Sequence, residues 1–303
     1  MIGHYVVGQS LGRGDYGEVY SAHYGPDPRV RVAIKSIPKD LRDRPGFVSA
    51  LRRICEDWSQ REDPSIPRFR ELICRTDQVV VVRELLAGAD IGALLLGPPL
   101  RAAAVENMVL SLLSALAWLH RDGRVHGRLK PGNIFLCEDG RVVWLDHALA
   151  QATAEVRFDW ESAPDLRWSA PESCRRGVDP RSLQAADVYS LGLVIWSLAR
   201  GRCPCPVEDP QGQLYWHLQE GPECLEELPS WLMSFIARMT AALPENRPKN
   251  GMEALQEFKR IRDSGEVLPV DGRSQTLPEW ARRPDLESMV NDSAGGLARI
   301  FFS

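Results

Sequence analysis

The chain has 303 residues, 44% of them hydrophobic and 26% charged, with a formal net charge of −4. That balance describes an ordinary globular chain of one large or two modest domains, and excludes a disordered or collagen-like one. The acidic charge gives no basis for a nucleic-acid partner, and the longest apolar runs, such as Val79–Val82 and Leu191–Leu198, are too short to span a bilayer.

The first third reads as strands. Tyr5–Leu11 and Glu18–His23 alternate apolar and polar residues around a glycine-rich turn. Arg31–Ile37 is a third strand, and Gln78–Glu84 is a nearly continuous valine run suited to burial on both faces. Between them, Pro45–Arg61 is helical, with Phe47, Leu51, Ile54 and Trp58 on one face. From Pro99 onward helices dominate: Ala102–His120, Ala185–Leu198, Trp231–Thr240 and Gly251–Arg262. Strands first and helices second make an α+β chain with two lobes. Residues 264–303 carry Pro, Gly, Ser and mixed charge with weak periodicity, and read as a partly ordered tail. Seven cysteines without metal spacing read as reduced thiols, and polar Gly8-Gln9-Ser10 interrupts any leader, so a cytoplasmic location is expected.

Two stretches carry chemistry. Leu11-Gly12-Arg13-Gly14-Asp15-Tyr16-Gly17-Glu18-Val19-Tyr20 contains G-x-G-x-x-G. A dinucleotide fingerprint of that form opens a helix, whereas here a strand-like run follows, so the glycines make a hairpin whose backbone N–H groups can approach phosphates. Val32-Ala33-Ile34-Lys35 then places a lysine on the next strand. The second stretch is His126-Gly127-Arg128-Leu129-Lys130-Pro131-Gly132-Asn133, which has the spacing of a kinase catalytic loop, His-Arg-Asp-Leu-x-x-x-Asn.

With these motifs, residues 5–263 resemble the eukaryotic-type protein kinase family, in its bacterial Ser/Thr flavour. Further matches follow in order: Arg83-Glu84-Leu85-Leu86 at the hinge, Asp146-His147-Ala148 in place of Asp-Phe-Gly, Ala170-Pro171-Glu172, Asp187–Gly192, and Arg247 as partner of Glu172. The resemblance implies a bilobal protein-kinase fold, with a β-rich N-lobe (1–86) bearing one regulatory helix, a hinge (84–90) and a helical C-lobe (91–263). It implies ATP and Mg2+ as cofactors. Gly12, Gly14, Gly17, Val19, Ala33, Lys35, Glu84, Leu86, Asp90 and Phe135 would meet the nucleotide. Asn133 and Asp146 would hold the metal, and Lys130 would serve the catalytic site.

The departures matter most. Arg128 stands where the family has the Asp that receives the substrate proton, and a guanidinium accepts none. Asp122 and Asp165 are the candidate replacements, though no spacing supports either. Gly127 replaces the Arg that orders a phosphorylated loop, so Thr153, Ser162 and Ser169 read as ordinary hydroxyls. Counting back from Pro64 puts Ile54 where the family has the helix glutamate that pairs with Lys35; a register shift would recruit Glu56 instead. Trp58, Phe69, His147 and His126 match the family's regulatory spine. Arg83 falls behind the adenine, where it needs a partner, Asp146 or Glu56, or a route to water. The expected function is a pseudokinase, a nucleotide-binding signalling or scaffold module with an unidentified protein partner. The alternatives are a low-turnover Ser/Thr kinase and an ATP-dependent nucleotidyl transfer.

Overall fold

The structure, a computed structural model, describes residues 1–60, 63–156, 166–174 and 182–269. Strands β1 (Tyr5–Gly14), β2 (Gly17–Tyr24) and β3 (Asp27–Ser36) form a meander. Helices α1 (Lys39–Arg42) and α2 (Phe47–Ser59) follow, then strands β4 (Phe69–Cys74) and β5 (Val79–Glu84). The five strands make one antiparallel sheet in the order β1-β2-β3-β5-β4. Beyond it lie β6 (Gly88–Asp90), α3 (Ile91–Leu94), α4 (Ala102–Leu119), β7 (Ile134–Cys137), β8 (Val142–Trp144) and α5 (His147–Val156). The remaining helices are α6 (Leu183–Arg200), α7 (Pro210–Gln219), α8 (Ser230–Met239) and α9 (Gly251–Ser264).

The period-2 geometry of the sheet explains the valine run. Val80 and Val82 join Val32 and Ile34 in a small core on one face, while Val79 and Val81 face the main core. The same alternation puts Ala33 and Lys35 on the face that looks toward the C-lobe. The β3–β5 register pairs Ala33 with Arg83 and Lys35 with Val81, so Arg83 belongs to that face too. Gly14 pairs with Gly17, leaving Asp15 and Tyr16 as a two-residue hairpin tip. Gly17 has φ 113°, and a Cβ there would lie 1.9 Å from the Ser36 carbonyl oxygen, so no side chain fits.

Helix α2 turns Phe47, Leu51, Ile54, Cys55 and Trp58 inward, and these join the core that continues through the C-lobe. In the C-lobe, α6 is buried almost without interruption from Ala185 to Leu198, and α4 packs against α6 and α9. Fully burying one Leu or Phe removes enough apolar surface to contribute roughly 1.5–3 kcal/mol; α4 alone buries Leu112, Leu113, Leu116 and Leu119 completely. Glycines set two close helix approaches: a Cβ on Gly192 would meet Met239 Cβ at 2.9 Å, and one on Gly251 would meet the Leu116 backbone at 2.6 Å.

Three expectations change here. Helix α4 is long and apolar enough to cross a membrane by length and composition, which a reading of unbroken apolar runs misses; in this fold it is packed against α6, α9 and β8. Helix α5 fills a segment read only as a loop with surface hydroxyls; its Ala-Leu-Ala-Gln-Ala-Thr-Ala sequence has strong intrinsic helix propensity. Helix α7 was also not anticipated, although Asp209 caps it by accepting from Gly212 N at 2.7 Å and Pro210 opens it. Residues 270–303 of the expected tail, with Ser162 and Asp165, lie outside the described residues.

Candidate functional site

A cleft of about 450 Å3 lies between the sheet and the helical lobe, within the size range of small-ligand sites. Its apolar end is lined by Val19 and Ala33 from the sheet, Leu85 and Leu86 from the connecting strand end, and Phe135 and Leu145 from below. Its polar end gathers Gly12, Gly14, Asp15, Lys35, Arg83, Lys130, Asn133 and Asp146. Gly17 does not line the cleft. Its place is the hairpin closure against Ser36.

Glu84 and Asp90 line the cleft but have structural work for their side chains. Glu84 pairs with Arg141 at 3.0 Å and accepts from Arg68 N at 3.2 Å. Asp90 caps α3, accepting from Ala93 N at 3.0 Å.

The lower loop is held by one carboxylate. Asp187, on the buried helix α6, accepts from the backbone N–H of His126 at 2.6 Å and of Gly127 at 2.9 Å. It also accepts from His120 Nε2 at 3.1 Å. Gly251 N donates to His120 Nδ1 at 2.9 Å, which assigns the ring proton to Nε2. The loop then closes on itself: Asn133 Nδ2 donates to the Arg128 carbonyl at 2.9 Å. That leaves the Asn133 amide oxygen for another donor or a cation.

Lys35 is almost completely buried and pairs with Asp146, not with a residue of α2. Ile54 is buried at the helix position in question, and Glu56 is exposed two residues on, so the register shift that would recruit Glu56 does not occur. Burial raises the Asp146 carboxyl, but the charges of Lys35 and Arg83 and the Lys35 hydrogen bond outweigh it and hold the pKa below its usual range. Asp146 itself sits at φ 63°, a left-handed conformation uncommon for a side-chain-bearing residue, immediately before α5 begins. Helix α5 packs along α2, and Arg53 donates to Glu155 Oε2 across them at 2.6 Å.

The expected ion pair of Arg83 is absent among the described residues. Lys35 takes Asp146, Glu56 points to solvent, and the Arg83 Nε is buried with no hydrogen-bond partner. Arg83 lines both the cleft and a smaller recess of about 50 Å3 behind it, which Cys55, Trp58, Phe69 and His147 also line. Two of the anticipated spine residues touch, Trp58 and His147, edge to face with ring centroids 4.4 Å apart. Burial drives the His147 imidazole down to a pKa of about 3, so it is neutral, and neither of its ring nitrogens has a partner.

Arg128 has a partner that no spacing in the sequence indicates. Its Nε donates to Asp15 Oδ2 at 3.2 Å, and Lys130 Nζ donates to Asp15 Oδ1 at 2.7 Å. Asp15 is the hairpin tip, so a carboxylate of the sheet spans the cleft to two cations of the lower loop. Partial burial raises the Asp15 carboxyl, yet the hydrogen bonds and charges of Lys130 and Arg128 leave it below its usual range. Beside it, Tyr16 is buried at 5% exposure, with the Lys35 ammonium 5.7 Å from its ring. Asp122, a candidate substitute for the missing acid, sits in the turn Arg121–Gly123 and does not line the cleft. Further down, Arg247 makes a bidentate pair with Glu172 at 2.7 and 3.0 Å, as anticipated.

The strand-rich lobe, the helical lobe and the loop braced between them define a class, and comparison places the chain in it. The family model described as protein kinase domain matches residues 5–258, so the chain belongs to the protein kinase family. It is 30% identical over 250 residues to CBL-interacting protein kinase 16 of Oryza sativa subsp. japonica, covering 80% of this chain and 53% of that one. It is 26% identical over 307 residues to the serine/threonine-protein kinase PknB of Mycobacterium leprae, covering 96% and 47%. The chain thus spans about a third to a half of the curated relatives it matches. Among solved structures, the kinase domain of Mycobacterium tuberculosis PknI has a TM-score of 0.63 at 21% identity, covering 86% of this chain and 97% of that one, a likeness of fold.

Proposed function

We propose that this chain is a pseudokinase: a nucleotide-binding signalling or scaffold module with little or no phosphotransfer, working through a protein partner in the cytoplasm. The observation that carries the reading is Arg128. Its guanidinium occupies the loop position where phosphotransfer needs a proton-accepting carboxylate, and it hydrogen-bonds to Asp15, which lines the cleft. Loss of a positioned base costs on the order of 10²–10⁴ in rate.

Nucleotide binding is supported by what the cleft retains. The apolar slot of Val19, Ala33, Leu86 and Phe135 suits an adenine, and Gly12, Gly14 and Lys35 stand at its polar end. Mg2+ would be held by Asn133 and Asp146, through one amide oxygen and one carboxylate oxygen, and would supply positive charge to neutralise a nucleotide's phosphates. Among the described residues no group of three or more His, Cys, Asp or Glu converges on a metal-sized site. The fit therefore rests on these two oxygens.

One observation favours the second reading, a low-turnover Ser/Thr kinase. Asp15 brings a carboxylate to Arg128 and Lys130, close to where the missing acid would stand. Both its oxygens are engaged by cations, which makes it a poor base. The test is thermal shift with ATP, followed by transfer assays with ATP labelled at γ and at α. Stabilisation without transfer is the expected result. Transfer of the γ label supports the kinase reading, and transfer of the α label supports nucleotidylation.

A further inference from the structure

The side chains shared by the cleft and the recess behind it are two cations and one committed acid: Lys35, Arg83 and Asp146. Asp146 pairs with Lys35. Glu84, the next residue along β5, gives its carboxylate to Arg141 and to Arg68 N. Arg83 is left over. Its Nε is buried without a partner, and among the described residues no carboxylate holds its guanidinium. Its position follows from the strand. Val81, two residues back on the same face, lines the recess; Leu85 and Leu86 line the cleft; Arg83 lines both. In register it stands between Ala33 of β3 and Phe69 of β4. The small Ala33 roofs the apolar slot, so the guanidinium stands at that slot's inner wall.

A guanidinium has N–H donors and no acceptor, so what it lacks here is an acceptor. A purine hangs from its sugar by the five-membered ring. With sugar and phosphates toward the glycine hairpin, the six-membered ring goes deepest between Ala33 and Phe135, and its six-position substituent approaches the inner wall. In adenine that substituent is an amino group, a donor brought to a donor. In guanine or hypoxanthine it is a carbonyl, with the neighbouring ring nitrogen N7 as a second acceptor, and a guanidinium matches that pair. We propose that the cleft selects nucleotides of 6-oxopurines, guanine or hypoxanthine, over those of adenine, and that Arg83 sets this preference. The inference rests on the nucleotide-binding reading and deepens it by naming the base.

The apolar slot cannot make this choice by shape, because adenine and the 6-oxopurines have nearly the same outline. Charge makes it. Adenine would leave the guanidinium unpaired and bury its own amino group against a cation, whereas a carbonyl supplies the missing partner. A bidentate arginine–base pair discriminates against the wrong base by roughly five- to a hundredfold. Hypoxanthine separates the two features of guanine, since it keeps the six-position carbonyl and lacks the amino group at the two-position. A preference set by Arg83 therefore extends to inosine nucleotides.

The experiment is calorimetric titration of the full chain with ATP, GTP and ITP, each with Mg2+. The wild type is compared with Arg83→Met, which removes the donors, and with Arg83→Gln, whose amide both donates and accepts. GTP and ITP are expected to bind the wild type about tenfold more tightly than ATP. Both variants are expected to lose that preference; having two guards against one that fails to fold. If ATP binds the wild type as tightly as GTP and ITP, or more tightly, the selectivity is refuted while the nucleotide reading stands. The same holds if GTP is preferred but ITP is not, which would assign the preference to the amino group of guanine. A preference that survives in the variants removes Arg83 from the role. If none of the three nucleotides binds, the nucleotide reading falls and the inference falls with it.

Discussion

Asp187→Asn changes one atom type and tests how the fold holds its loop. Three donors converge on Asp187, which is 1% exposed: the buried His126 N and His120 Nε2, and the N–H of exposed Gly127. His126 N and His120 Nε2 share Oδ2, while Gly127 N takes Oδ1. An asparagine offers one acceptor oxygen. Placed at Oδ2 it satisfies two donors and turns its NH2 on Gly127 N–H; flipped, it satisfies one and opposes two. The ring of His120 cannot relieve the conflict, because its Nδ1 must accept from Gly251 N.

The better orientation therefore turns an NH2 on the Gly127 N–H, at about 1 kcal/mol because that residue is exposed, and weakens two bonds from charge-assisted to neutral, at about 1 kcal/mol each. The expected loss is about 3 kcal/mol. For a domain of this size that lowers Tm on the order of 10 °C. Urea unfolding followed by tryptophan fluorescence measures it. A loss below about 1 kcal/mol would refute the argument, since it would mean that these donors find water or other partners.

Four further expectations follow from the same geometry. Glu172→Ala leaves Arg247 buried without its carboxylate and should cost about 3–5 kcal/mol in urea unfolding; a loss under 1 kcal/mol would show that the three carbonyls which Arg247 also contacts are sufficient. Arg83→Met removes a buried cation whose Nε has no partner, so stability should hold or rise by about 1 kcal/mol; a fall of that size would mean that Arg83 is needed to keep Asp146 charged. Arg128→Asp should give no γ-phosphate transfer above background in a radiolabel assay, because the new carboxylate would face Asp15 and the Lys35 partner on α2 would still be missing. Burial pushes the Cys55 thiol up to about 12, so at pH 8 a disulfide reagent should label exposed Cys74 and Cys224 in the native chain and reach Cys55 only on unfolding.

The parts of the site legible in the sequence were those set by local pattern. Alternation placed Ala33 and Lys35 on one face of β3, and the valine run announced a strand buried on both sides. The glycine spacing gave the hairpin, and the i, i+4, i+7, i+11 residues gave the buried face of α2. Helix α5 was missed because the family expectation of a loop after Asp146 outweighed an alanine-rich stretch that says helix on its own. For Arg83 the expected ion pair did not form, but the other alternative, a route to water, fits, since the residue is part-buried and lines the open cleft. Charge complementarity named Asp146 as the nearby acid, but Lys35 and Arg83 share one sheet face and Lys35 is the one that pairs with it.

The pairing of Asp15 with Arg128 and Lys130 had no signal in the sequence at all, since 113 and 115 residues separate the partners. Yet this contact changes what Arg128 means. Taken alone, arginine in place of the acid is a simple loss. With Asp15 opposite, the carboxylate has moved from the lower loop to the hairpin tip, and its charge is spent on holding the two lobes together. A base must be free to take a proton, and a carboxylate held by two cations is the reverse. Under the proposed reading, the arginine and its contact with Asp15 together account for the expected lack of phosphotransfer.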